Sequence, residues 1–172
     1  PIPVFASHGF MVLAFNAPDR RPAHPGDFKT QMLTWSSPLS SLEMIVERLV
    51  RESSVDPERV GLTGLSYGAE ITQFAITHSS VFAAAATGGW SARDPIFYYL
   101  TYDGWRRIFK DWIGGSPDGS ESWKWKQLAP ALNVTNLTCP LLVQAAETEY
   151  LSGLQFYTAL KEHEVPVELI VY

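Results

Sequence analysis

The sequence is poor in several features that mark other protein classes. Its 172 residues hold one cysteine, Cys139, so no internal disulfide framework exists, and that residue leaves the compartment open. The apolar runs are short. Phe10–Phe15 and Val81–Ala86 each span six residues, far below the roughly 20 needed to cross a bilayer. There is no basic run, and 13 Lys+Arg against 18 Asp+Glu give a net charge of −5. That balance offers no electrostatic ground for a nucleic-acid partner. Neither H-E-x-x-H nor C-x-x-C occurs, so no metal or other cofactor is expected. Internal repeats and low-complexity segments are also absent. The chain opens on Pro1 without an initiator Met and ends at Tyr172 straight after a strand-like run. It reads as a piece of a longer protein.

What is present is the material of a packed domain: 46% hydrophobic and 18% charged residues. Val4–Ala6 with Gly9 reads as a helix end closed by glycine, and Phe10–Phe15 as a strand buried on both faces. Residues 16–37, rich in proline, read as a long loop. Ser37-Pro38 then fits a helix start, with Leu39, Leu42, Val46, Leu49 and Val50 at helical spacing. Asp56-Pro57 is a turn signal. Val60–Thr63, Phe82–Thr87, Leu141–Ala145 and Val167–Tyr172 read as strands. Ala69–His78 and Gly153–His163 read as helices. Strands that alternate with helices imply crossovers, hence an α/β fold with a mostly parallel sheet and helices on both faces. Ligands of such sheets bind beyond the carboxyl ends of the strands.

One such end carries Gly64-Leu65-Ser66-Tyr67-Gly68, a G-x-S-x-G pattern between a strand and a helix. That context is what a nucleophile elbow requires. A serine there sits in a strained turn, with glycines where strand and helix nearly touch, and its hydroxyl projects above the sheet. The Tyr67 backbone N–H would face a developing oxyanion. The bland alternative is an ordinary Gly/Ser turn.

With the elbow in place, the chain resembles the catalytic domain of the prolyl oligopeptidase family of α/β-hydrolases. The likeness runs through Gly9-Phe10-Met11-Val12-Leu13, Val55-Asp56-Pro57-Glu58-Arg59-Val60, the elbow, Phe82–Ala86, Cys139-Pro140-Leu141-Leu142-Val143, and Val165–Tyr172. It implies that residues 1–172 are part of one catalytic domain, without its N-terminal strands and C-terminal end. It also implies a serine peptidase that works through an acyl-enzyme. The family's acid is usually an Asp four residues past a His-Gly start. Counting from Pro140 places Ala145-Ala146 on that pair and Glu149 on the acid. A Glu acid together with a G-L-S-Y-G-A-E elbow is most similar to the lasso peptide isopeptidase branch, which opens the isopeptide bond that closes a lasso peptide's ring. The implied partners are a peptide substrate, a lasso peptide among them, and the remainder of the same protein with an N-terminal β-propeller.

The acid has two competitors, Glu147 and the more distant Asp94. None of His8, His24, His78 and His163 follows the last strand, where the Ser…acid…His order puts the base. That histidine is expected beyond Tyr172. The segment after the third strand is unusually aromatic. Trp105, Trp112, Trp123 and Trp125 read as packing. Trp90 and the Phe97–Tyr99 run, nearest the strand end, read equally as packing or as a pocket wall that holds a peptide. Trp90, Phe97 and Tyr98 are therefore the substrate-binding candidates. Arg93 and Asp94 read as a surface pair or as charges that orient substrate. A carboxylesterase on the same fold and a non-catalytic hydrolase-like binding module are the competing functions, because fold alone does not decide substrate.

Overall fold

Four short strands form the spine of the chain. The computed structural model describes residues 2–17, 28–53 and 55–172. β1 (Gly61–Leu65), β2 (Ala84–Gly88), β3 (Leu141–Ala145) and β4 (Val167–Val171) lie side by side in chain order, and each neighbouring pair is parallel. The register aligns Leu62, Ala85, Leu141 and Val167, so these side chains share one face. A strand order that advances one way, joined by right-handed crossovers, sets the connecting helices on a single face. Burial agrees. Ala85, Thr87, Leu141, Val143 and Ala145 are buried, whereas Thr63, Leu65, Ala84, Gln144, Glu168 and Ile170 on the opposite face are exposed.

The helices are α1 (Ile2–Ser7), α2 (Phe28–Glu52), α3 (Tyr67–His78), α4 (Pro95–Leu100), α5 (Asp103–Ile113), α6 (Ser122–Leu128) and α7 (Tyr150–Glu162). None of the described helices is long and apolar enough to cross a membrane. α3 packs on β1 and β2 and is covered in turn by α2, which buries Ala69 and then Ile71 through Thr77 without a break. The two threonines of that run are satisfied locally. Thr72 Oγ1 donates to the Gly68 carbonyl at 2.9 Å and Thr77 Oγ1 to the Gln73 carbonyl at 2.8 Å.

Three expectations fail. The connecting helices cover one face of the four described strands rather than both, because the strand order never reverses. Phe10–Phe15 forms no strand, and Phe10, Met11 and Leu13 are exposed. An apolar run becomes a strand only against a ladder edge that satisfies its backbone, and none of the described strands pairs with it. The second helix starts at Phe28, not at Ser37, and carries Pro38 inside it. The cause is a longer stripe than the Ser-Pro signal suggests: Gln31, Thr34, Trp35, Pro38, Leu39 and Leu42 recur every three or four residues and are all buried. An interior proline costs about 3 kcal/mol. Burial of Trp35, Leu39 and Leu42, at roughly 1.5–3 kcal/mol for each large apolar side chain, outweighs it.

The other elements lie within a few residues of the expected bounds, and β3 matches Leu141–Ala145. The Asp56-Pro57 turn is a short 3-10 helix, Pro57–Arg59. The Asp56 carboxylate accepts from the Glu58 N–H at 2.9 Å and from Arg59 Nε at 2.8 Å.

Candidate active site

All four strands point their carboxyl ends the same way, and residues past the ends of β1, β2 and β3 line a cavity of about 800 Å³. Ser66 is the first of these residues. It caps α3 with φ 55° and ψ −120°, a backbone conformation that costs roughly 1–3 kcal/mol for a residue with a side chain. Two features hold it there. The Ser66 N–H donates to the Gly88 carbonyl at 3.1 Å, and the Ser66 carbonyl accepts from Ala69 and Glu70 at the start of α3. Gly64 permits the corner. A Cβ there would lie 2.1 Å from the Gly68 carbonyl oxygen, so no larger residue fits. Gly68 differs from expectation, because a Cβ on it would meet open space. Its contribution is the backbone that Gly64 approaches. Ser66 is exposed and faces the cavity, and Tyr67 is the first residue of α3.

Glu149 lies on the same cavity wall, in the loop between β3 and α7. Gly89, at φ +110°, turns the end of β2 beneath it. A Cβ at Gly89 would sit 3.6 Å from Glu149 Oε2. Glu147 is exposed and is not on the wall. Its N–H donates to the Tyr172 carbonyl at 3.1 Å, which brings the end of the chain beside this loop. Asp94 is not on the wall either. It is buried at the head of α4, where its Oδ1 accepts from the Ala131 N–H at 2.7 Å. Burial raises its pKa to about 7, only partly opposed by that hydrogen bond.

The described histidines lie elsewhere. His8 is exposed and bonds the Val4 carbonyl. His78 stacks on Phe74 with centroids 3.9 Å apart and reaches the Gln127 carbonyl, and burial lowers its pKa. His163 caps the far end of α7. His24 falls outside the described residues. Among the described residues no cluster of three or more His, Cys, Asp or Glu is placed to hold a metal.

The aromatic segment divides differently from its reading in sequence. Trp90 lines the cavity and also packs, its ring lying against Gly153 of α7, where a Cβ would come within 1.9 Å of it. A glycine inside a helix costs about 1 kcal/mol, and here it makes room for an indole. Phe97 lines the cavity. Tyr98 does not: it is buried edge-on to Tyr99 and Trp125. Trp105 and Trp112, read as packing, stand on the cavity wall with Phe109, whereas Trp123 and Trp125 remain packing residues.

Arg93 and Asp94 are not a surface pair, since both are buried. The Arg93 guanidinium lies 4.7 Å from the Trp35 ring, 5.3 Å from Phe109 and 5.8 Å from Trp112, a cage of three aromatic faces. Its acidic partner is Glu70, one turn past Ser66, at 3.4 Å. Burial raises the Glu70 pKa, while the Arg93 charge and a backbone hydrogen bond from Ala92 oppose the rise. Gln73 was also missed in sequence. Fully buried on α3, it donates from Nε2 to the Gly89 carbonyl at 3.0 Å and accepts the Ser91 N–H on Oε1 at 2.9 Å. It thereby clamps the loop that carries Trp90 and Arg93.

A family model described as "Prolyl oligopeptidase family" matches residues 38–172. The chain belongs to the prolyl oligopeptidase family. It is 33% identical, over its whole length, to the lasso peptide isopeptidase AtxE2 of Asticcacaulis excentricus. The chain spans 26% of that relative's length. In structure it is similar to an AtxE2 isopeptidase variant solved with Astexin3-dC4 bound, with a TM-score of 0.70 over 83% of this chain and 22% of that one. It is similar as well to the Pyrococcus horikoshii acylaminoacyl peptidase, at 26% identity and a TM-score of 0.64, over 81% of this chain and 22% of that one. The sheet and its crossover helices are thus those of a prolyl oligopeptidase α/β-hydrolase domain.

Proposed function

We propose that this chain carries the nucleophile and the acid of a serine peptidase that opens isopeptide bonds of the lasso peptide type. The observation that carries the reading is Ser66, held at φ 55° on the elbow and facing the cavity whose wall includes Glu149. Ser66 Oγ attacks the acyl carbon. A histidine that follows β4 takes its proton and returns it to the leaving amine. Glu149 holds that imidazole by its second ring nitrogen and stabilises the imidazolium. The Tyr67 N–H, at the positive end of α3, receives the oxyanion. Water then releases the acyl group from Ser66 by the same steps. The position of Tyr172, hydrogen-bonded to the Glu147 loop, supports the source of the base, because a chain that continues from there emerges beside Glu149. The 172 residues act as part of a catalytic domain, with the remainder of the protein, an N-terminal β-propeller among it, closing the site. Trp90 and Phe97 contact the peptide.

The likeness to AtxE2 supports the isopeptide substrate. The test is incubation of the whole enzyme with a lasso peptide and with short Xaa-Pro peptides, followed by mass spectrometry. Ring opening appears as a gain of one water on the lasso peptide, with the proline peptides almost untouched. Rapid cleavage of the proline peptides with an intact lasso ring refutes the isopeptidase assignment.

A further inference from the structure

Four buried side-chain polar atoms among the described residues have no hydrogen-bond partner: Gln31 Nε2, Trp35 Nε1, Glu70 Oε2 and Trp90 Nε1. Such atoms are rare because each forfeits its hydration. These four are not scattered. Gln31, Glu70 and Trp90 line the cavity that Ser66 faces, and Trp35 backs the same wall through its contact with the Arg93 guanidinium. Trp105, Phe109 and Trp112 complete the wall with apolar rings. The polar complement is specific. Three of the orphans are N–H donors; the one acceptor among them, Glu70 Oε2, is also the oxygen that lies 3.4 Å from Arg93 Nη2.

Charge restricts what fits. A carboxylate entering beside Arg93 meets Glu70, already 3.4 Å from the guanidinium. An ammonium entering beside Glu70 meets Arg93. A neutral group that offers carbonyl oxygens and one N–H satisfies the set, and a peptide main chain is such a group. An ordinary peptidase pocket beside the nucleophile holds a side chain. When the acyl carbon belongs instead to a side-chain carboxyl, the arm beside that carbon carries the residue's own main chain, and its amides must be accommodated there.

We propose that the pocket beside Ser66 recognises the main chain of the residue that donates the isopeptide acyl group. Glu70 Oε2 accepts that residue's backbone N–H, and Arg93 donates to an adjacent carbonyl. Glu70 is then the specificity-determining residue that separates side-chain acyl donors from ordinary peptides. The inference rests on the isopeptidase reading above.

The experiment compares two isopeptide substrates on the whole enzyme, identical except that the backbone nitrogen of the acyl-donating residue carries hydrogen in one and methyl in the other. Wild type and Glu70→Met are each assayed on both for kcat/KM. Because each preparation serves as its own reference, loss of folded enzyme cancels in the ratio. Wild type is expected to prefer the N–H substrate by at least tenfold, the scale of a lost hydrogen bond to a charged acceptor. In Glu70→Met the preference collapses to within about twofold, as loss of that acceptor requires. A smaller wild-type preference, or one that survives in Glu70→Met, overturns this assignment alone. An enzyme that opens neither isopeptide yet hydrolyses an α-peptide overturns the isopeptidase reading and this assignment with it.

Discussion

Replacing Asp94 by Asn should make the protein more stable at pH 8 and leave it nearly unchanged at pH 4. Asp94 is 1% exposed, and its carboxyl Oδ1 accepts a hydrogen bond from the Ala131 N–H. Burial raises its pKa from 3.8 to about 7. Between these values the folded protein holds a proton that the unfolded chain has released. Unfolding therefore releases a proton, and stability falls as pH rises through that window. Below 3.8 both states are protonated, and above about 7 the loss is complete. At about 1.36 kcal/mol per pH unit the whole window is worth on the order of 4 kcal/mol. Between pH 5 and 8 the share is roughly 2–3 kcal/mol. Asparagine keeps an acceptor oxygen for the Ala131 N–H, yet it never ionises. Urea denaturation of both proteins at pH 4, 5, 7 and 8 measures the difference. The stabilising effect of Asp94→Asn should grow with pH and level off near 8. A constant difference, or one that shrinks as pH rises, refutes the claim that Asp94 is buried at the cost of its charge.

Two further outcomes follow from the site. Ser66→Gly should unfold at higher denaturant than Ser66→Ala by roughly 1 kcal/mol, because only glycine occupies φ 55°, ψ −120° without strain; equal midpoints would mean that the elbow stores none. In the whole enzyme Glu149→Gln should lower kcat far more than Glu147→Gln, toward the roughly 10⁴-fold known for a lost triad orienter. Equal, mild effects would place the acid elsewhere.

Much of the sheet was legible because its signals are local. Leu141–Ala145 is a short apolar run behind Cys139-Pro140, and Gly64–Gly68 puts a turn, a nucleophile candidate and a helix start in five residues. Phe10–Phe15 misled for the same reason. An apolar run states that it can pair, but whether an edge lies beside it is a property of the tertiary structure. Ser37-Pro38 masked a helix that had already run from Phe28, because the Gln31–Leu42 stripe contains polar Gln31 and Thr34 on its buried side. The inner wall of the cavity was the least legible part. Glu70 and Arg93 stand 23 positions apart and meet only because α3 and the return through β2 bring both to one end of the sheet. Gln73 carries no sequence signal at all. Its importance comes from the Gly89 and Ser91 backbone groups that the fold presents to it.

The central claim is that Ser66 is the nucleophile of this cavity. Its most direct test is to treat the whole protein with a fluorophosphonate and to locate the adduct by peptide mass mapping. The strained elbow, the cavity and the helix N-terminus together predict one stoichiometric adduct, on Ser66, that disappears in Ser66→Ala. An adduct on another serine, or labelling at full strength in Ser66→Ala, would contradict the account.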